Sequence, residues 1–148
     1  MDSKTERRIN EILLSKYLYG DENVTCPEDL SKVRIDNFPL PSGLNKDYTS
    51  VLIQYPAGYG YYDENGMGTP IEELYIDPDL KYVRNGVEID IDNYFGDRTS
   101  NSNNFYLLGK GWRWICIKSL KGKWARKQNI TTLLQQLHIM LSDPSRPK

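Results

Sequence analysis

Residues 116–144 constrain the fold of this chain more than any other part of its sequence. They begin with Cys116, directly after an aromatic, β-like run at residues 112–115, and Trp124 follows eight residues later. Residues 130–141 then repeat Ile and Leu at helical spacing behind Asn129, a favourable N-cap, which predicts an amphipathic helix. Pro144 ends this pattern, because proline cannot continue a helix. The predicted buried stripe of this helix is Ile130, Leu133, Leu134, Leu137 and Leu141.

The rest of the chain predicts a second helix and a set of antiparallel strands. Residues 3–18 carry an apolar stripe at helical spacing, made of Ile9, Ile12, Leu13, Leu14 and Tyr17. Residues 21–50 read mostly as loop, and Asn85-Gly86 is a strong hairpin signal. Predicted strands occupy residues 32–35, 51–55, 71–76, 80–83, 87–91, 105–108 and 112–117. This order predicts one α+β domain over residues 1–148, with an open antiparallel sheet backed by helices.

Composition excludes several classes of function. The net charge of −1 gives no whole-chain attraction to nucleic acid, and no stretch is apolar enough to span a bilayer. The charged N-terminus has no apolar core of a signal peptide, so we expect a reducing cytoplasm. That compartment disfavours a disulfide between Cys26 and Cys116. His138 is the one histidine, so the sequence predicts no metal site.

In order and spacing, residues 116–144 resemble the catalytic half of ubiquitin-conjugating (E2) enzymes. In that family an Ile-Cys-Leu element leads to a Trp, then to an Ile-Ser/Thr helix and a Leu-Ser/Cys-Asp-Pro stop, and Trp124, Asp143 and Pro144 keep this register. The run Arg7-Arg8-Ile9-Asn10-Glu11 looks like the family's basic N-terminal helix, and residues 52–59 are similar to its strand and Phe-Pro-x-x-Tyr turn.

The resemblance implies an E2/UBC-like fold and a conjugating activity without a cofactor. Cys116 would accept a ubiquitin-like protein as a thioester from an E1-like activating enzyme and pass it to an amine of a target protein. Arg7 and Arg8 would face outward and contact the E1, and Trp124 would be buried beside the last helix. Seven Lys and Arg residues and no acid lie between residues 110 and 127, which favours the thiolate of Cys116.

The sequence departs from the family pattern in three ways. The His-Pro-Asn motif that lies upstream of the family's cysteine is missing, and only Asn103 or Asn104 could support the oxyanion or the loop. The Asn85-Gly86 hairpin looks like an insertion, and the chain ends about where the family's last two helices would begin. These traits resemble the compact, divergent bacterial E2-like proteins of antiphage operons of the Bil type.

Other interpretations remain open. A cysteine between two isoleucines is more often inert packing than a nucleophile, and only its register with Trp124 and Pro144 favours chemistry. An E2-variant module would bind a ubiquitin-like protein without catalysis, which the lost motif favours. A nucleic-acid binder would use the tryptophans and the basic run, which the near-neutral total charge disfavours.

Overall fold

The described residues form a six-stranded antiparallel sheet with two helices packed on one of its faces, and a separate two-stranded hairpin. The computed structural model describes residues 3–71, 73–91, 99–100, 111–115 and 128–142, and the statements below concern these residues. The helices are α1 (Ser3–Tyr19) and α2 (Ile130–Ser142), with a 3-10 turn at Asp21–Asn23. The strands are β1 (Val24–Thr25), β2 (Lys32–Pro39), β3 (Tyr48–Gln54), β4 (Glu73–Ile76), β5 (Lys81–Arg84), β6 (Val87–Asp90), β7 (Thr99–Ser100) and β8 (Trp112–Trp114).

Six strands form the main sheet in the order β1-β2-β3-β4-β8-β7, and every neighbouring pair is antiparallel. The strands β5 and β6 form a separate hairpin. The core between sheet and helices is built from aliphatic side chains, among them Val33, Ile53 and Ile76 from the strands and Leu134 and Leu137 from α2. The prediction of an α+β fold with an N-terminal helix, an antiparallel sheet and a C-terminal helix is confirmed.

The opposite face of the sheet is buried as well. Leu52 points away from the helices, because it lies between the core residues Val51 and Ile53 on β3 and successive side chains alternate across a strand. Leu52 and Trp112 are 0% exposed, and the Arg34 guanidinium lies 5.3 Å from the Trp112 ring centre. Burial on both faces explains why β3 carries three consecutive apolar residues, Val51, Leu52 and Ile53.

A β-bulge extends β2 into a segment that the sequence analysis reads as loop. Ile35 pairs with Val51 and Phe38 pairs with Thr49, so β2 has one more residue than β3 between these two pairs. Asn37 lies in the bulge with a φ of 57°. The bulge returns Phe38 to the core, where it is 2% exposed. The prediction of a strand over residues 32–35 alone is therefore too short.

The Asn85-Gly86 hairpin is confirmed, and it is tied to the rest of the fold at two places. Asn85 and Gly86 have φ values of 52° and 78°, as a type I′ turn requires. The Asn45 side-chain oxygen accepts the Lys81 N–H at 2.9 Å, which fastens β5 to the turn between β2 and β3. On the other side, the Tyr82 hydroxyl donates to the carbonyl oxygen of Leu141 at 2.7 Å.

The two helices differ in how well their buried faces were predicted. All five residues of the predicted stripe of α2 are buried. The stripe predicted for α1 is wrong in part, because Ile12 is buried but Leu13, Leu14 and Tyr17 are exposed. Ile12 shares the buried face of α1 with the polar residues Arg8, Glu11 and Ser15.

The bond from Tyr82 to Leu141 should stabilise the last helix measurably. Replacing Tyr82 with Phe leaves a buried carbonyl without its donor, so we expect Tyr82→Phe to lower the free energy of unfolding by about 1–2 kcal/mol. Tyr48→Phe is the matched control, since Tyr48 is 55% exposed, and it should change stability by less than about 0.5 kcal/mol. Urea denaturation of both variants measures the difference, and equal stabilities would contradict the assignment.

Candidate functional site

Most of the residues that the sequence analysis assigns to a site lie outside the described part of the chain. This holds for the nucleophile candidate Cys116, for Asn103 and Asn104, and for the register residues Trp124, Asp143 and Pro144. Their roles stay predictions. Arg7 and Arg8 are described, and so are the residues that flank the cysteine-bearing segment on both sides.

The chain enters that segment from a firmly held strand end. The N–H of Ile115 donates to the Leu74 carbonyl at 2.9 Å, which continues the pairing of β8 with β4 by one residue. Ile115 is 1% exposed and belongs to the core beneath the helices. The residue immediately before Cys116 is therefore fixed both by backbone pairing and by burial.

The chain leaves the segment at the N-terminus of α2, where α1 holds it. An Arg7 guanidinium nitrogen donates to the Gln128 carbonyl, and the Ile130 N–H donates to Glu11 Oε1 at 2.8 Å. Asn129 Oδ1 accepts the N–H of Thr131 at 2.9 Å, which confirms the predicted N-cap. Three successive residues, 128 to 130, thus have named polar partners.

Glu11 is the centre of the junction between α1 and residues 128–130. Its carboxylate also accepts a hydrogen bond of 2.6 Å from the Tyr59 hydroxyl, in the loop after β3, and its second oxygen lies 3.8 Å from Arg7 Nε. Glu11 is 4% exposed. One carboxylate therefore connects α1, the loop after β3 and the first turn of α2, at the positive end of the α2 dipole.

Burial sets the protonation of this cluster. Removal from water raises the pKa of Glu11 above its usual value, and the hydrogen bonds from Tyr59 and Ile130 oppose that rise in part. Burial, aided by the negative charge of Glu11, raises the pKa of Tyr59 as well. The Tyr59 phenol therefore keeps its proton at neutral pH and remains a hydrogen-bond donor to Glu11.

Arg8 makes a separate set of contacts on the same helix. It is 8% exposed, and its guanidinium donates to the Leu30 carbonyl at 3.1 Å and to the Pro56 carbonyl at 3.0 Å. The guanidinium also lies 4.9 Å from the ring centre of Tyr55, which stacks on Tyr59. The prediction that Arg7 and Arg8 face outward is wrong, since position 8 shares the buried helical face with positions 11, 12 and 15.

The outward face of α1 is apolar instead of basic. Leu13 is 56% exposed, Leu14 39%, Tyr17 84% and Leu18 50%. At the end of the helix an open groove of about 470 Å³ runs between α1, β2 and α2. Its lining is mostly apolar and consists of Tyr19, Phe38, Pro39, Leu134, Gln135, His138 and Ile139. These surfaces favour contact with another protein over contact with a charged small molecule.

Local sequence patterns do not identify Glu11 and Tyr59, the two central residues of the junction. Glu11 and Tyr59 are 48 positions apart in the chain, and Glu11 and Ile130 are 119 apart, so no local motif joins them. The sequence signal for this buried face is the spacing of positions 8, 11, 12 and 15, which lie on one side of a helix. That face carries two charged residues and a serine, and a rule that buries only apolar stripes passes over it.

The described part of the chain has neither a cluster of metal-ligating side chains nor a membrane-spanning helix. Cys26 is half-buried, and in the described ranges no cluster of three or more His, Cys, Asp or Glu side chains is placed to hold a metal ion. Neither described helix has the length and apolar character needed to cross a membrane.

Comparison with known proteins gives no match to a family model, to a curated protein or to a solved structure.

The buried carboxyl of Glu11 should make stability depend on pH. The Glu11 carboxyl binds its proton more tightly in the folded protein than in the unfolded chain, so its protonation stabilises the fold. This contribution to the free energy of unfolding is fully present below the unfolded pKa, near the ordinary value of 4.5, and is lost as pH rises through the folded pKa. We expect Glu11→Gln, which keeps an acceptor oxygen, to lack this decline. Melting temperatures across that pH range measure the effect. The control Glu6→Gln, at an exposed position, should keep the wild-type pH profile. Parallel profiles for wild type and Glu11→Gln would contradict the assignment.

Proposed function

We propose that this chain is an E2-like conjugating enzyme that carries a ubiquitin-like protein on Cys116. The observation that supports the proposal is the position of the cysteine in the chain. It follows a buried strand end at Ile115, in an antiparallel sheet, and precedes a capped amphipathic helix packed on the same sheet. That order agrees with the order of elements in the family that residues 116–144 resemble.

The proposed reaction has two steps. The Cys116 thiolate attacks the thioester carbonyl that joins the ubiquitin-like protein to the E1-like enzyme, a new C–S bond forms, and the E1 thiolate leaves. An amine of the target then attacks the Cys116 thioester, the C–N bond forms, the amine proton passes to solvent, and the Cys116 thiolate is released. The seven basic residues between positions 110 and 127 support the thiolate by favouring its negative charge.

A bacterial, cytoplasmic antiphage conjugation system is part of the same proposal, and the E1-like enzyme, the ubiquitin-like protein and the target are its partners. A non-catalytic E2-variant module is the second candidate. The missing His-Pro-Asn motif favours it, because oxyanion stabilisation needs a preorganised donor and the sequence offers only Asn103 or Asn104 nearby. The two candidates differ in whether a thioester forms.

Thioester formation tests the proposal directly. With an E1-like enzyme, ATP and the cognate ubiquitin-like protein, wild type should form an adduct that a thiol reductant removes on a non-reducing gel. Cys116→Ala should abolish this adduct, and Cys26→Ala should retain it, because Cys26 is half-buried and lies far from residue 116 in the chain. A wild-type chain that binds the ubiquitin-like protein and forms no adduct would favour the non-catalytic module.

The proposed contact with the E1 shifts to the apolar outer face of α1, since Arg7 and Arg8 point inward. Leu13→Glu with Tyr17→Glu places two charges on that face at exposed helical positions, where stability changes by about 0.5 kcal/mol or less. We expect this double variant to be loaded more slowly than wild type at limiting E1 concentration. Val87→Glu is the control, since Val87 is 60% exposed but lies on the separate β5-β6 hairpin. Equal loading rates for all three proteins would place the E1 contact elsewhere.

A further inference from the structure

The exposed residues of the two helices carry no basic side chain. We call helix surface the residues of α1, the turn Asp21–Asn23 and α2 that are exposed, over positions 4–23 and 130–142. They include acids and large apolar residues, and none of them is Lys or Arg. The acids are Glu6, Asp21 and Glu22, and the large apolar residues are Leu13, Leu14, Tyr17, Leu18 and Ile139. The helix surface is therefore complementary to a partner that is both apolar and basic.

The charges of α1 alone would predict a different surface. This helix contains four bases and two acids in its sequence. Each base, however, is held inward or paired: Lys4 Nζ donates to the Ala57 carbonyl at 3.2 Å, and Lys16 Nζ lies 3.8 Å from Asp21. The two arginines donate to backbone carbonyls. A count of charges along α1 predicts an acidic partner, whereas its exposed residues favour a basic one.

The apolar groove between α1, β2 and α2 opens beside the helix surface. The rings of Tyr19 and Phe38 lie 5.4 Å apart in its wall, and Ile139, which is 56% exposed, also lines it. None of the 13 residues of α2 is Asp, Glu, Lys or Arg. The groove volume of about 470 Å³ lies within the range of about 300–1,000 Å³ that ligand sites have. An apolar, aromatic centre depleted of charge is the composition of a protein interface core.

Negative charge lies next to this groove. Glu22 Oε1 lies 2.9 Å from the point that a Cβ would occupy at Gly20, the residue after Tyr19. The side chain of Asp21 is 86% exposed beside it. A partner that inserts an apolar side chain into the groove therefore meets carboxylates at the end formed by Tyr19.

We infer that the groove binds an amphipathic helix of another protein, with basic residues beside its apolar stripe. Amphipathic helices bind apolar grooves through anchor side chains that recur every three or four residues. Because Glu22 lies beside the groove residue Tyr19, the basic residue should fall about one helical turn, or three to four residues, from the anchor. This inference needs no chemistry at Cys116 and is independent of the proposed function.

The end of β2 that lines the groove is unsuited to an extended peptide. Pro39 has no N–H to donate to an added strand, and Asn37 is in the left-handed conformation of the bulge. The Asn37 side-chain nitrogen also donates to Asn23 Oδ1 at 3.0 Å, which ties this part of β2 to the turn after α1. A partner helix needs no backbone bonds from β2, so the groove favours a helix over a strand.

The charges also disfavour a second copy of this chain as the occupant. Two copies that met through the helix surface would bring acids at both ends of α1 against each other and would supply no exposed base to pair with them. Like charges placed together across an interface oppose association. The same acids repel the phosphates of nucleic acids and of anionic membranes.

The first experiment selects the partner helix without prior choice of its sequence. The probe is a displayed library of stapled helices of about 16 residues, built on alanine and randomised along one face. Selection on the full chain should enrich Leu, Phe, Met or Trp together with Lys or Arg about three or four residues away. No enrichment over the unselected library, or enrichment of Asp or Glu at that spacing, would overturn the inference.

The second experiment locates the selected helix by fluorescence anisotropy. Ile139→Glu places a charge in the groove and should weaken binding by about tenfold or more, a change of about 1.4 kcal/mol. Val87→Glu is the control, since Val87 is 60% exposed on the separate β5-β6 hairpin, and its affinity should stay within about twofold of wild type. Equal affinities for Ile139→Glu and Val87→Glu would place the helix elsewhere and refute the groove.

Charge reversal tests the basic residue of the partner. Glu22→Lys should weaken binding and flatten its dependence on salt, because a screened attraction is replaced by repulsion. Glu88→Lys reverses an equally exposed glutamate on β6 and should match wild type. If both variants bind as wild type does, the charge complementarity is wrong.

Two further outcomes separate this inference from its rivals. Self-association of wild type that Ile139→Glu abolishes would make a second copy the occupant and would overturn the inference. The Cys116→Ala chain should bind the selected helix as wild type does. A failure to form a thioester therefore refutes the proposed function and leaves the binding result unchanged.

Discussion

The buried carboxylate of Glu11 is the constraint on which the arrangement of the helices depends. A negative charge that is 4% exposed must find partners, and here they come from three separate parts of the chain: Tyr59, the Ile130 N–H and Arg7. Hydrogen bonds fix direction as well as distance, whereas apolar contacts tolerate sliding. Polar bonds therefore help to set the position of α1 against the sheet and against α2, together with the burial of Ile12 in the core.

The sequence alone predicts the elements that are buried through apolar side chains. The stripe of α2, the strand β3 and the Asn85-Gly86 turn were predicted because leucine spacing, β-branched runs and positive φ are local signals. The face of α1 was not, because Arg8 and Glu11 are buried only through partners distant in sequence. The charge of Arg7 and Arg8 predicts an outward orientation, whereas both side chains reach inward to backbone carbonyls. The role of Cys116 stays a prediction from register, since chemistry at a thiol depends on surroundings that spacing alone does not fix.

Burial of both sheet faces limits where partners can bind. Leu52 and Trp112 are fully buried on the side away from the helices, so the middle of the sheet is closed to other proteins on that side. Among the described residues, exposed large hydrophobic side chains are most numerous on the outer side of α1, which carries four of them. The others are Tyr48, Tyr61, Met67, Val83, Val87 and Ile139. The same helix that presents this apolar side outward also reaches inward to the start of α2.

The bond from Tyr82 to Leu141 has a consequence for how this fold could change over time. The last carbonyls of a helix need donors from outside it, and here one donor comes from a hairpin 59 positions earlier in the chain. A lineage that lost the hairpin would leave the end of its final helix without that partner, and one that shortened the helix would remove the Leu141 acceptor of a buried tyrosine hydroxyl. Hairpin and helix end are thus expected to be gained, kept or lost as a pair.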